Sequence, residues 1–397
     1  MQRYRFLRAG RGISVWLAAA MLSLACGVGG ASSPAPTSGG TLQFGAIVGL
    51  SGIYGAYGPA YQAGMNVAAD RVNKAGGIVA GGKKYNLKML YMDDRSDAQV
   101  AIADATQMIN DNHINVVVGP LANEAISATP VIAQHKAINL SLAASLFGLL
   151  GDKYPLLFSA LPSNDYRTGV TVSGIRHFYP NAKKVAFLTG NNDGLLKPMS
   201  SQLQAAGITA GDFTYPPGTK DISTVATKVV ADKPDIIVVG TSPQEEQSDI
   251  QQLDAAGLPK STPCVCYSTE LPSSIGHPQL FPSAYSPVDP GVQSTPEIDA
   301  FKSALKTQLN GADVTPFNIG IGLAYYFVVQ LTAKAMTKAN TVTDTAAIAK
   351  ALTDVSLTEF GAKFQFASDH TITVPLAVTQ ITETGKTTVV QLKPNQT

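Results

Sequence analysis

Charge and cysteine are both scarce in this chain. Asp, Glu, Lys and Arg make up 14% of the 397 residues and the formal net charge is only +1, where an average soluble protein is about 25% charged. There is no basic stripe, so no nucleic-acid partner is expected, and no strong electrostatic partner of any kind is implied. Three cysteines, Cys26, Cys264 and Cys266, are too few for a disulfide framework, and no nearby His completes a zinc set. Cys264 and Cys266 stand two apart in ProCysValCysTyr. On a strand that spacing puts both on one face in a geometry poor for a mutual disulfide, so two free, buried thiols are expected.

The usual catalytic sets are missing as well. His113, His135, His177, His277 and His370 are scattered singly, with no HisGluXaaXaaHis spacing and no GlyXaaSerXaaGly elbow, and each reads as a surface or helix-end histidine. No Walker A loop occurs, and Gly320-Ile321-Gly322 lies in a helical pattern without a third glycine, so it is no dinucleotide fingerprint. Asp93, Asp94 and Asp97 could suggest a cation site, but a strand end followed by an N-cap Asp accounts for the same residues. Glu245-Glu246 suits the first turn of a helix, where the macrodipole favours acids. No metal, no cofactor and no enzymatic activity are expected.

What is present begins at the N-terminus. Arg3, Arg5, Arg8 and Arg11 precede an apolar stretch, Ile13 to Ala25, too short for a membrane span of roughly 20 residues. Residues 1–25 therefore read as a signal peptide. Leu22-Ser23-Leu24-Ala25-Cys26 resembles the bacterial lipobox, which implies lipidation at Cys26, with simple cleavage nearby the other reading because Ser stands third before the Cys. Loss of those four Arg takes the formal charge from +1 to −3. The expected product is a cell-membrane lipoprotein facing the periplasm or the exterior. Residues 26–40 read as a lipid-anchored flexible linker, with AlaSerSerProAlaProThrSerGlyGly at its end, and the folded part is expected near Thr41.

From there short apolar runs alternate with amphipathic segments. Strands are expected at Leu42 to Leu50, Asn86 to Met92 and Ile114 to Val118, with helices from Ala60 to Ala75 and from Asp97 to about Asn112. The alternation recurs from Leu156 to Ala256: four further helices, Asp165 to Phe178, Leu195 to Ala206, Ile222 to Ala231 and Glu245 to Ala256, lie between strands. This pattern implies parallel sheets covered on both faces, an α/β protein of two Rossmann-like lobes. Phe317 to Lys338 is apolar on most sides, but Gly320, Gly322, Gln330, Thr332 and Lys334 favour a buried scaffold helix over a membrane span.

Two loops suit a small ligand. Gly119 to Glu124 follows a buried strand and opens a helix at Ala125. The strand Asn139 to Leu142 is followed by Ala143-Ala144-Ser145, whose small side chains let a ligand approach the backbone. In open α/β sheets the crevice outside the strand carboxyl ends is the binding position, and a carboxylate there would meet N–H donors, a helix N-terminus and a hydroxyl. Ordinary connecting loops are the alternative reading.

GlyLeuSerGlyIleTyrGlyAlaTyrGly (49–58), AsnLysAlaGlyGlyIle (73–78), TyrMetAspAspArgSerAsp (91–97) and ValValGlyProLeu (117–121) resemble, in order, the signatures of the branched-chain amino-acid type of periplasmic substrate-binding protein. The resemblance implies the type I fold, a hinged Venus-flytrap with lobe I over 41–161 and 286–370 and lobe II over 162–285 and 371–397. It implies capture of a small molecule between the lobes and delivery to an ABC permease. Asn123 and Ala143, Ala144 and Ser145 match the residues that grip an amino acid in the first lobe, and Tyr57 matches a cleft-wall aromatic. The second lobe departs from the family: Asn191-Asn192-Asp193 and Thr241-Ser242 stand where Tyr residues are usual, and Glu270 aligns with the acid that meets the ligand ammonium. Asp193 and Ser242 thus join Glu270 as candidates. The family's first-lobe disulfide is absent, with Ser96 and Ala122 in those places. An amino acid is the favoured ligand, against an amide, a urea-like or a carboxylic compound. A sensor of the same fold that signals to a partner is the rival to a transport receptor.

Overall fold

The computed structural model describes residues 36–397 except 56, 143–148, 152, 191–192, 217–218, 240–242, 267–275, 284–285, 290–292, 312–315, 395 and 397. Residues 1–25, expected to be a signal peptide, and Cys26 lie outside the described residues.

The first sheet is built from β1 (Thr37–Val48), β2 (Ile78–Ala80), β3 (Lys83–Asp93), β4 (Val116–Leu121), β5 (Ile138–Leu142) and β6 (Leu157–Ser159). Their order is β2-β3-β1-β4-β5-β6, parallel throughout except for β2, which runs antiparallel to β3. Helices α1 (Gly58–Lys74), α2 (Ala98–Asn110) and α3 (Ala122–Gln134) connect the parallel strands. Phe44, Ala46, Ile47 and Val48 and the run Val116 to Val118 have no exposed surface, as strands covered on both faces require. The turn Gly81-Gly82 has both φ values positive, +57° and +70°, the backbone of the tight hairpin turn that joins β2 to β3.

The structure corrects the start of the fold. β1 begins at Thr37, pairing Thr37 with Lys83 and Ser38 with Lys84, with an irregularity between Ser38 and Gly40. Residues 37–40 thus belong to the first part of β1, paired with β3, and not to the linker. Small polar residues carry little strand signal, and the partner β3 supplies the order.

The second run comprises α4 (Asn164–Phe178), β7 (Lys184–Gly190), α5 (Asp193–Ala205), β8 (Thr209–Tyr215), α6 (Ser223–Asp232), β9 (Ile236–Val239), α7 (Pro243–Ala255), β10 (Cys264–Cys266) and β11 (Gln279–Pro282). The chain then forms α8 (Pro296–Gln308), α9 (Pro316–Ala339), α10 (Thr345–Asp354) and a small antiparallel sheet, β12 (Ser356–Glu359), β13 (Ala362–Phe366) and β14 (Ile372–Thr373). It ends with β15 (Leu376–Ile381) and β16 (Thr387–Leu392) in the second sheet, whose order is β16-β15-β11-β10-β9-β7-β8. β15 runs antiparallel to both β11 and β16, while the other pairings are parallel.

α8 and α9 return to the first sheet: Gln330 Nε2 of α9 donates to the Ala68 carbonyl of α1 at 3.0 Å, and Arg71 of α1 donates to the Tyr326 hydroxyl at 2.6 Å. The chain therefore passes three times between the two sheets, after β6, after β11 and before β15. These passages are tied together. Ser159 N donates to the His370 carbonyl at 2.9 Å, Tyr166 hydroxyl to the Val374 carbonyl at 2.9 Å, and Ser283 N to the Ala377 carbonyl at 2.8 Å.

α9 is the expected scaffold helix. Ile319–Ala339 is long and apolar enough to cross a membrane, yet 89% of its apolar window is buried inside the fold. Cys264 and Cys266 are both free and fully buried in β10. Burial pushes the Cys264 thiol up to about 12 and Cys266 well above its ordinary value. His277 departs from the surface reading, since it is 3% exposed. Its ring lies between the Thr262 carbonyl, 2.9 Å from Nδ1, and Asp254 Oδ1, 2.8 Å from Nε2.

Candidate functional site

The loop after β1 is moored at the carboxyl end of the first sheet by Asp93, the last residue of β3. Asp93 Oδ1 accepts from the backbone N–H of Leu50 at 2.9 Å, Ser51 at 3.1 Å and Arg95 at 3.0 Å, and Oδ2 accepts from the Ser51 hydroxyl at 2.7 Å. Desolvation acts to raise this carboxyl, but those hydrogen bonds outweigh it and hold Asp93 below the usual range. Ser96 adds a second mooring, accepting the Tyr54 N–H at 3.1 Å and donating to the Ser51 carbonyl at 3.0 Å. A hydroxyl thus restrains this loop from the position where the resembled family carries a cysteine. Tyr57 closes the segment as the residue that opens α1, its N–H donating to the Tyr54 carbonyl at 2.9 Å. Its ring stands 6.5 Å from that of Tyr61. Asp97 caps α2 as expected, accepting from Gln99 N at 2.7 Å and Val100 N at 3.0 Å.

α3 starts at Ala122, directly after β4, so Asn123 stands in the first helical turn and not in a loop that ends before Ala125. The turn ahead of it is shaped from within. Asn139 Nδ2 donates to the Gly119 carbonyl at 2.6 Å, Thr129 donates to Asn139 Oδ1 at 3.0 Å, and the Ser141 hydroxyl donates to the Pro120 carbonyl at 2.9 Å. Leu121, at the N-cap position, makes no side-chain cap. The first backbone N–H groups of a helix lack intrahelical acceptors and carry the positive end of its dipole, so this end of α3 suits an anionic group. Asp193 is the first residue of α5. Ala143, Ala144, Ser145, Ser242 and Glu270 lie outside the described residues.

Burial sets apart Asp94, which the sequence offered only as part of a strand end, and Glu124. Asp94 is 1% exposed and Glu124, in the first turn of α3, is 6% exposed. Asp94 Oδ1 accepts from Ser96 N at 2.8 Å, while Glu124 Oε2 is buried without a hydrogen-bond partner. Desolvation pushes the Asp94 carboxyl up to about 6, opposed by the Ser96 hydrogen bond and aided by the charges of Glu124, Asp93 and Asp104. The Tyr54 phenol is raised too, by burial first and then by Glu124 and Asp94. Nothing in a run such as GlyProLeuAlaAsnGlu signals that its acid is buried. In the second sheet's layer, Glu246 of α7 is fully buried, where a first-turn acid is ordinarily solvated. Asp249 accepts a short hydrogen bond from the Tyr215 hydroxyl. No group of three or more His, Cys, Asp or Glu arranged for a metal is found among the described residues.

Residues 41–386 match the model of the family described as periplasmic binding protein. The Leu/Ile/Val-binding protein BraC3 of Rhizobium johnstonii is 26% identical over 211 residues, covering 52% of this chain and 56% of the relative. The chain thus spans little more than half the length of that curated relative. Among solved structures, the branched-chain amino acid transporter substrate-binding protein LivJ from Streptococcus pneumoniae, in complex with isoleucine, aligns with a TM-score of 0.68 at 22% identity, covering 89% of this chain and 100% of LivJ. A solute-binding protein of an ABC transporter from R. palustris, in complex with benzoate, aligns with a TM-score of 0.69 at 16% identity over 89% and 97% of the two chains. These likenesses show the same two-lobed α/β fold. With the family model matching most of its length, the chain belongs to the periplasmic binding protein family.

Proposed function

We propose that this protein is an exported receptor that captures an amino acid or a related small polar molecule between two lobes and presents it to an ABC permease. The observation that supports the reading is the carboxyl end of the first sheet, where the loop after β1 is moored and the N-terminus of α3 carries no side-chain cap, the end at which open α/β sheets bind their ligands. The ligand carboxylate meets the first turn of α3 at Asn123 together with Ala143, Ala144 and Ser145, with Tyr57 as a wall. Asp193, Ser242 and Glu270 approach from the second lobe, and Glu270 takes the ammonium. The lobes, 41–161 with 286–370 and 162–285 with 371–397, close about the three chain passages. Hydrogen bonds that the ligand makes to the second lobe only when it closes shift the open and closed populations. Residues 1–25 direct export and Cys26 carries the lipid anchor, so the receptor works at the outer face of the membrane. Its task is binding, not catalysis.

The names of its relatives support an aliphatic amino acid. The neighbour solved with benzoate favours a carboxylic compound as the second reading. A thermal-shift screen of leucine, isoleucine, valine, benzoate and simple amides tests both. A ligand at 100 times its Kd stabilises by about 2.7 kcal/mol. A response to the amino acids supports the first reading, a response to benzoate alone supports the second, and no response to any of them removes both.

A further inference from the structure

Asp94 and Glu124 are less than a tenth exposed, and no Lys, Arg or His among the described residues forms an ion pair with either. The charges that act most strongly on Asp94 are acidic: Glu124 from α3, Asp93 from the end of β3 and Asp104 from α2. Arg95 bears on Asp104. Of these acids only Asp93 is richly hydrogen-bonded. Glu124 Oε2 and Asp104 Oδ2 are buried without a partner. The Asp94 carboxyl packs directly under the moored loop, since a Cβ on Gly49 would lie 3.4 Å from Asp94 Oδ1 and 3.0 Å from Tyr54 Cβ. A buried carboxylate without a cation is costly, and acids so placed relieve the cost by holding a proton.

Glu124 stands in the same helical turn to which the proposed function assigns the ligand carboxylate. An anion arriving there adds a further negative charge beside acids that are already crowded. We propose that Asp94 and Glu124 form a pair beneath the binding site in which Asp94 holds the proton beside the Glu124 carboxyl, so that binding of a carboxylate ligand takes up a proton and tightens as the surroundings acidify. The ligand half of this inference rests on the proposed function, whereas the proton pair does not. The pH range concerned is that of Asp94, near 6. For a protein exposed to the external medium, this couples loading of the receptor to external acidity.

Calorimetric titration of the full chain with leucine and with benzoate, in two buffers of different ionisation enthalpy at pH 6.5, counts protons taken up. The expected result for whichever ligand binds is uptake of a fraction of a proton per site, affinity rising severalfold from pH 7.5 to 5.5, and loss of both effects in Glu124→Gln. Zero uptake, proton release, or undiminished uptake in Glu124→Gln overturns the inference. Should neither compound bind, the functional reading fails while the pair is still tested without ligand. A carboxyl whose folded pKa lies above its unfolded value loses stability as pH rises through the folded pKa. The melting temperature of the ligand-free protein should therefore rise from pH 7 to pH 5 relative to Glu124→Gln. Asp94→Asn serves where that variant fails to fold, and parallel pH profiles of wild type and variant overturn the pair.

Discussion

Gly64 of α1 and Gly322 of α9 meet backbone to backbone: a Cβ on Gly64 would lie 2.7 Å from Gly322 Cα and nearer still to its carbonyl oxygen. The two helices approach this closely because neither has a side chain at the crossing. That contact seats α9, the most apolar helix among the described residues, on the first lobe's outer layer.

Gly64→Ala is expected to destabilise the protein by about 1–3 kcal/mol, the range for overpacking against an unyielding backbone. Gly322→Ala should cost less, because the nearest obstacle to its Cβ is the Leu305 side chain at 3.3 Å. Urea denaturation of the two variants measures the difference, and equal losses would show that the crossing is less tight than the geometry implies.

Cys264 and Cys266 should be inert to thiol reagents in the native state. Both are fully buried, and the thiolate that reacts is strongly disfavoured. Labelling with a chromogenic disulfide at pH 8 should proceed at the rate of unfolding and accelerate in denaturant. Rapid labelling of the folded protein contradicts this.

Acid stability should depend on Asp254. Burial acts to raise its carboxyl, but Lys260 and His277, through hydrogen bonds and charge, hold it below the ordinary value. With the folded pKa depressed, its contribution is present above the unfolded value near 4 and is lost as pH falls through the folded one. Asp254→Asn should lose about 1.5–3 kcal/mol at neutral pH, the range for hydrogen bonds to charged groups. Its acid limb should be flatter than that of wild type in melting curves from pH 2.5 to 5.

At the binding site, Ser145→Ala should weaken ligand binding by about 0.5–1.5 kcal/mol if the partner is neutral and about 1.5–3 kcal/mol if it is a carboxylate. Glu270→Gln should abolish most amino-acid binding and leave the ligand-free melting temperature little changed. Calorimetry on both variants decides, and wild-type affinity in each would move the pocket elsewhere.

Cys26→Ser should release the mature protein from the membrane fraction on cell fractionation. A wild-type protein that is already soluble, with its N-terminus beyond Cys26, would replace the lipid anchor by simple cleavage.

The features legible in the sequence are local ones. Alternation of strands and helices shows in the spacing of apolar residues, Asp97 announces its helix by the chemistry of an N-cap, and the paired thiols of β10 and the buried α9 follow from period and composition. The motif loops at 49–58 and 117–121 likewise point to the carboxyl ends of their strands without reference to the rest of the chain. What remained hidden depends on partners far away in sequence. Thr37 and Ser38 are strand because Lys83 and Lys84 pair with them, and Asn123 is helical although Leu121 offers no capping side chain to mark the start. His277 is buried because Asp254 and the Thr262 carbonyl receive it. Asp94 and Glu124 become a pair only when β3 and α3 are brought together under the loop after β1, since an acid carries no sign of its own burial and a charge interacts with what surrounds it in space.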